Sequence, residues 1–328
     1  MNERGSFGGR DADSAAGEGD RSVRVAGIDC GTNSIRLLIA DGNGPALTDV
    51  HREMRVVRLG EGVDRTGRLS DAALERTRAA LVDYVALIEA QGVSRVRMVA
   101  TSASRDAANA DEFRSMVQAI LGVEPEVISG VEEAALSFTG AVAGLPGVVG
   151  EGLLVADIGG GSTELVLGSP ARGIVSASFS MDVGCVRMTE RHLHDDPPTP
   201  AQIAATTSDL ETAFALAAQE VPVREAVSFV GVAGTVTTIA AIALGLPAYD
   251  PRAIHGSVIS FRDVSAVTQR LLSMTRAERA ALPVMHPGRV DVIGAGALIL
   301  RCLMEFVGAA EVIVSEHDIL DGIALSLL

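Results

Sequence analysis

The stretch Leu153-Leu154-Val155-Ala156-Asp157-Ile158-Gly159-Gly160-Gly161-Ser162-Thr163-Glu164-Leu165-Val166-Leu167-Gly168 decides the fold. An apolar run, a bend of three glycines with Ser162, and a second apolar run from Leu165 read as a β-hairpin. Glycines let a ligand approach the backbone N–H groups of the bend closely. Asp157 ends the first strand and Glu164 begins the second, so two carboxylates flank this anion nest. They would repel a bare anion but suit a phosphate that carries a divalent cation, because Mg²⁺ takes one or two carboxylates together with phosphate oxygens.

Working outward, a second copy lies near the start of the chain. Ile28-Asp29-Cys30-Gly31-Thr32-Asn33-Ser34-Ile35-Arg36-Leu37-Leu38-Ile39 aligns without gaps, with Asp29 on Asp157, Gly31 on Gly159, Ser34 on Ser162 and Leu37 on Leu165. Arg36 stands in place of Glu164. Two such hairpins, each opening half of the chain, imply duplicated domains that face one ligand.

Composition narrows the class. A chain of 328 residues holds two domains, and 48% hydrophobic with 3% aromatic residues means cores built of Ala, Val, Leu and Ile. A net charge of −15 excludes general nucleic-acid binding through a basic surface. Cys30, Cys185 and Cys302 show no C-x-x-C spacing, which fits a reduced cytoplasm without structural zinc. No signal peptide is visible. The uncharged run from Ala226 to Tyr249 contains Gly231, Gly234, Gly245 and Pro247, and reads as strand, turn and helix rather than a membrane span.

Residues 1–22 lack periodicity and read as a disordered tail. The first domain, 23–145, reads βββαβαβα: strands at about 23–29, 34–40, 46–59, 96–101 and 126–128, and helices following Ser70, through 112–121 and from 131 to 143. Ser70 with Asp71 opens the first helix, Leu74, Leu81, Tyr84 and Ile88 supply its apolar face, and Gly92 stops it. Gly144 to Gly150 reads as the linker. The second domain, 151–328, repeats the order, with later helices at 262–273, 276–281 and 288–306. Its last helix, from Asp318, is expected to cross back onto the first domain.

Six segments now carry a resemblance: Gly27 to Ser34, Arg58 to Val63, Ala100 to Asn109, Ile128 to Ala134, Asp157 to Glu164, and Gly231 to Thr235. In these, and from Val23 to Leu328 as a whole, the chain resembles the exopolyphosphatase and guanosine pentaphosphate phosphatase family. That family belongs to the superfamily of actin, the Hsp70 ATPase domain and the sugar kinases. The resemblance implies an α/β fold of two duplicated actin-like (ribonuclease H-like) domains with the active site in the cleft between them. Departures are Cys30, where relatives often have a larger apolar residue, and Leu320, near a position where many have arginine.

Glu133 matches the family's catalytic base. Read alone, Glu132 and Glu133 in the first turn of a helix equally suit compensation of the helix dipole. Asp157 and Glu164 are the expected metal ligands, for Mg²⁺ or another divalent cation, with capping of the turn as the alternative and Asp29 as a weaker third. Gly31, Thr32, Asn33, Ser34, Gly159, Gly160, Gly161, Ser162 and Thr163 would donate to phosphate oxygens. Arg105 matches a family arginine and is expected to stabilise phosphate charge. Read alone, it suits a solvated helix start. Arg52, Arg55 and Arg58 fit a phosphate channel or a solvated strand face. Cys30, inside a phosphate loop, is a candidate for oxidation.

The resulting expectation is a cytoplasmic, homodimeric hydrolase, without membrane or nucleic-acid partners. It would remove terminal orthophosphate from polyphosphate or from guanosine pentaphosphate. Short chains should be favoured, because an acidic two-domain body without the extra C-terminal domain of long relatives offers no extended basic track. The rivals are an ATP-dependent phosphotransferase of the same fold and a non-catalytic alarmone sensor.

Overall fold

The computed structural model describes residues 22–43, 46–145 and 150–328. The tail expected at 1–22 therefore lies, but for Ser22, outside the described residues, as do residues 146–149 of the linker.

The first half runs β1 (Val23–Cys30), β2 (Ser34–Asn43), β3 (Ala46–Val56), α1 (Val63–Thr66), α2 (Asp71–Ala90), β4 (Arg95–Ala100), α3 (Ser102–Asp106), α4 (Ala110–Leu121), β5 (Glu126–Val127) and α5 (Gly130–Ala143). The second opens with β6 (Leu153–Ile158), β7 (Thr163–Ser169), β8 (Ile174–Met181), α6 (Cys185–His192), α7 (Pro200–Glu220), β9 (Ser228–Val232) and α8 (Ala233–Ala243). It closes with α9 (Pro251–Ile254), β10 (Val258–Ser260), α10 (Phe261–Ser273), α11 (Arg276–Ala280), α12 (Ile293–Val307), β11 (Glu311–Val314) and α13 (Ile319–Leu325).

Each half builds one mixed sheet. The first has the order β3-β2-β1-β4-β5 and the second β10-β11-β9-β6-β7-β8. In each, an antiparallel three-strand meander leads into parallel strands, β4 beside β1 and β9 beside β6. These are the two actin-like domains expected. The second departs from the simple βββαβαβα order: β10 pairs antiparallel with β11 at the edge, and the chain runs through helices α8 to α12 between the paired strands β9 and β11. The helix expected over 288–306 is split. Pro287–Arg289 forms a single 3₁₀ turn and α12 starts at Ile293. β3 ends at Val56, three residues early, because Arg58 takes a left-handed φ of 49° and turns the chain away.

Local signals place the helices. Ser70 accepts the N–H of Ala73, and α2 buries Ala73, Thr77, Ala80, Leu81, Tyr84 and Ile88, with the Tyr84 hydroxyl donating to the Ile35 carbonyl. Ser129 caps α5 in the same way through Glu132 N–H. The uncharged run 226–249 becomes β9 and α8, and among the described residues no helix is long and apolar enough to cross a membrane.

The halves exchange their last helices. α5 buries Ala134, Phe138 and Ala141 against Leu153, Val155, Val166, Val230 and Val232 of the second sheet. α13 lies on the first sheet, with Leu320 and Ala324 against Val25, Leu38 and Ala40, and Ile323 against Val99. An apolar helix face is legible in sequence, but which sheet it covers is not. The two helices cross at two glycines: a Cβ at Gly140 would stand 1.8 Å from the Asp318 carbonyl oxygen, and one at Gly322 2.0 Å from that of Leu136. Alanine in a helix ordinarily gains up to about 1 kcal/mol over glycine. Here the added methyl meets backbone, and overpacking costs about 1–3 kcal/mol. Gly322→Ala should therefore destabilise the protein by at least about 1 kcal/mol in urea titration, and a neutral or stabilised variant would count against this crossing.

Candidate active site

The two hairpins repeat one another at the level of hydrogen bonds. Gly31 N–H donates to the Ser34 carbonyl at 3.0 Å, and Gly159 N–H donates to the Ser162 carbonyl at 3.0 Å. Their backs are tied in parallel ways. Val57 and Arg58 N–H groups bond the Asn33 carbonyl and Gly60 N–H bonds that of Thr32, while the first amides of α6 bond the carbonyls of Gly159 and Gly160. With the carbonyls engaged, the amides of Thr32, Asn33, Gly160 and Gly161 have no protein acceptor among the described residues. Uncommitted amides around a cleft make an anion nest.

The tips touch. A Cβ at Gly161 would stand 2.5 Å from both the Thr32 and Ser102 hydroxyls, and one at Gly160 3.0 Å from the Thr32 Cβ. The triple glycine thus serves the approach of hairpin to hairpin. Between the hairpins, α5 and the start of α8 lies a cleft open to solvent. Asp29, Gly31, Thr32, Asn33, Ser34, Glu133, Asp157, Gly159, Gly160, Gly161, Ser162 and Glu164 all border it. β9 passes directly into α8 through Ala233, whose φ of 68° is uncommon for a residue with a side chain, and the first turn of α8 also faces the cleft.

Four carboxylates meet here away from water. Glu133 reaches in from the first turn of α5. Burial first, then repulsion by Asp157, pushes its carboxyl up to about 8 against the opposing pull of Arg105. Asp157 and Glu164 stand directly opposite each other across β6 and β7. Burial, with repulsion from Asp318, lifts Asp157 to about 7, and the Ser137 hydroxyl, donating at 2.6 Å, opposes this. Glu164 is raised well above the usual carboxylate range by burial and by Glu133 and Asp157, although the Ser180 hydroxyl donates to it at 2.7 Å. Asp29 is raised by burial despite Arg36, which donates to it at 2.6 and 2.9 Å and also bonds Asp318. Its Oδ1 is buried without a partner.

Two expected phosphate ligands stand elsewhere. The Thr163 hydroxyl donates to the Val183 carbonyl at 2.5 Å and is fully buried, which ties β7 to the turn before α6. Arg105 does not border the cleft. It donates to Glu133 at 3.2 Å and to the Ile128 carbonyl at 3.0 Å, and so holds that carboxylate from behind. Arg52 pairs with Asp49 and Asp321, Arg55 with Glu53 and Asp83, and Arg58 with Asp291, and none of the three borders the cleft. Cys30 is buried, and burial drives its thiol pKa up, which suppresses the reactive thiolate.

A model of the Ppx/GppA phosphatase family matches residues 38–328. The chain belongs to that family. It is 53% identical over 318 residues to exopolyphosphatase 2 of Mycobacterium tuberculosis, covering 93% of this chain and 98% of that protein. Among solved structures, an exopolyphosphatase-like protein superposes with a TM-score of 0.90 at 45% identity over 94% of this chain and 98% of that one. The PPX-GPPA enzyme of Aquifex aeolicus superposes with a TM-score of 0.77 at 33% identity over 93% and 99%.

In this member of the Ppx/GppA family, the site also contains residues that sequence reasoning missed. Arg289 borders the cleft, lies flat on Gly234 and donates to the Thr238 hydroxyl at 3.0 Å. It has no carboxylate partner among the described residues, whereas Arg36 is held by Asp29 and Asp318. Its place in a Pro-Gly turn hid it, since the segment reads as a helix start. Ser137 and Ser180, which orient Asp157 and Glu164, fall on a helix and a strand with no spacing signal.

Proposed function

We propose that this protein is an exopolyphosphatase, a phosphoric anhydride hydrolase that releases orthophosphate from the end of inorganic polyphosphate. The observation that carries this reading is Glu133: a buried carboxylate with a raised pKa, fixed by Arg105, facing two hairpin tips with uncommitted amides. The names of the relatives point the same way.

Water held beside Glu133 attacks the terminal phosphorus, and its proton passes to the Glu133 carboxylate. The new P–O bond forms as the anhydride P–O bond breaks, and the polyphosphate leaves one unit shorter. The hairpin amides and Arg289 donate to the oxygens of the transferring group, where charge builds up. The Ser102 and Thr32 hydroxyls, 3.0 Å apart, pin the tip of the first hairpin to the start of α3, where both lie against Gly161 of the second.

The residues also fit a divalent cation. Among the described residues no three His, Cys, Asp or Glu side chains form a ready metal cage. Mg²⁺ needs none, since it binds through one or two carboxylates together with substrate oxygens. Asp157 and Glu164 would hold it, and the orphaned Asp29 Oδ1 supplies a further acceptor. Bound there, the ion would neutralise charge on the phosphate chain and on the crowded carboxylates.

A specific observation favours guanosine pentaphosphate as a second substrate. A cavity of about 460 Å³ adjoins the cleft, shares Arg36, Ala233, Gly234 and Arg289 with it, and is walled by Tyr249, Pro283, Val284 and Met285. Such a wall suits a nucleoside. Phosphate release with no acceptor present, assayed side by side on tripolyphosphate, long polyphosphate and guanosine pentaphosphate, tests the proposal. It also separates hydrolysis from phosphotransfer or simple binding.

Four outcomes are expected. Glu133→Gln should lower kcat by about 10²–10⁴-fold with substrate binding largely kept; near wild-type turnover would return Glu133 to a helix-dipole role. The working form of Glu133 is deprotonated and its pKa is raised, so kcat/KM should climb with pH well above the ordinary carboxylate range, and the limb should vanish in Glu133→Gln. Excess EDTA should abolish turnover, and Asp157→Asn and Glu164→Gln should raise the Mg²⁺ needed for half-maximal rate; full activity in EDTA would exclude a metal role. With a net charge of −15 over the whole chain, the specificity constant per chain end should be higher for short polyphosphates than for long ones, and added salt should narrow the gap.

A further inference from the structure

Behind the catalytic cleft, one guanidinium joins the two halves. Arg187 in α6 does not border the cleft, and its side chain is only 12% exposed. Its Nε donates to the Gly161 carbonyl at 2.7 Å, Nη1 to Asp64 at 2.8 Å and Nη2 to Asp106 at 2.5 Å. Gly161 is the tip of the second hairpin, whereas Asp64 in α1 and Asp106 at the end of α3 belong to the first half. Neighbours on α6 repeat the crossing: Glu190 accepts the Gly62 N–H at 3.1 Å, and Arg191 donates to Asp64 at 3.0 and 3.2 Å. Asp106 adjoins Arg105, the residue that holds Glu133. The contacts therefore run from hairpin tip through Arg187 to the segment that fixes the base.

We propose that Arg187 is a positioning residue that sets the spacing of the two phosphate hairpins by fastening the tip of the second to α1 and α3 of the first half. A planar fork with fixed donor directions meets three acceptors from three segments at once, and a lysine could satisfy only part of this set. The hairpin amides, the Thr32–Ser102 contact and Glu133 keep one mutual geometry only while the fork is engaged. This rests on the reading that the hairpins receive phosphate, and the experiment is chosen so that the two can fail separately.

The full-length protein carrying Arg187→Met or Arg187→Lys is assayed on tripolyphosphate. Loss of alignment by about an ångström should lower kcat by about 10–10²-fold in both, with KM within about threefold of wild type. Asp106→Asn should act in the same direction, and the double variant with Arg187→Met should be little worse than Arg187→Met alone. A raised KM with unchanged kcat would make Arg187 a direct substrate ligand and overturn the proposal. So would a loss that tracks melting temperature and multiplies in the double variant. A readout independent of substrate uses spin labels at Asp111→Cys in α4 and Glu211→Cys in α7, both exposed, in a protein whose own cysteines are buried. Arg187→Met should lengthen or broaden the distance distribution. An unchanged distribution overturns the proposal. A changed distribution in a protein that releases no phosphate from any polyphosphate upholds Arg187 and instead rejects the function.

Discussion

Everything in the cleft follows from keeping Asp29, Glu133, Asp157 and Glu164 together and out of water. Each carboxylate loses hydration on burial and gains like-charged neighbours, so its ionised form is disfavoured. The protein answers with few cations, Arg36 on Asp29 and Arg105 on Glu133, and with hydroxyls from Ser137 and Ser180. These are enough to hold the side chains in place and too few to neutralise them. The remaining imbalance is what a cation-bearing polyanion would relieve. Natural sites of this kind give up stability for function.

The duplicated architecture is what brings the four together. Asp157 and Glu164 come from the ends of one hairpin, Asp29 from the matching hairpin of the other half, and Glu133 from a helix that belongs in sequence to the first half and in packing to the second. Because α5 rides on the second sheet, Glu133 goes with Asp157 and Glu164, while Arg105 and Asp29 go with the first half. The site's charge balance thus depends on the relative placement of the halves, fixed at the hairpin tips and through α6.

Much of this was legible in the residues. The hairpins, their equivalence and the carboxylates at their mouths are local features written in glycine spacing and strand ends. Glu133 was marked by its match to the family motif, since its place after a Ser-Gly cap reads by itself as compensation of the helix dipole. What could not be read depends on contacts between distant segments. Thr163 looks like any phosphate-loop threonine until Val183 is placed beside it. Arg105 has the same neighbours in sequence whether it faces a phosphate or Glu133. Arg289 reaches the cleft only because its turn packs over Gly234, and the edge strand β10 is three residues whose pairing depends on β11. Cys30 sits in a reactive-looking motif, yet the sheet hides it.

The exchange of α5 and α13 also shapes how the chain can be made. On a ribosome the strands of the first sheet emerge early, but one face of that sheet, at Val25, Leu38, Ala40 and Val99, waits for Leu320, Ile323 and Ala324. Those residues are synthesised only after the whole second half. The first half therefore cannot complete its core as it is born, and its apolar face stays open until α13 has been made. Larger proteins commonly fold domain by domain from the N-terminus, and exposed faces of this kind are where aggregation begins. Here the helix that closes the first domain is translated only after the second half.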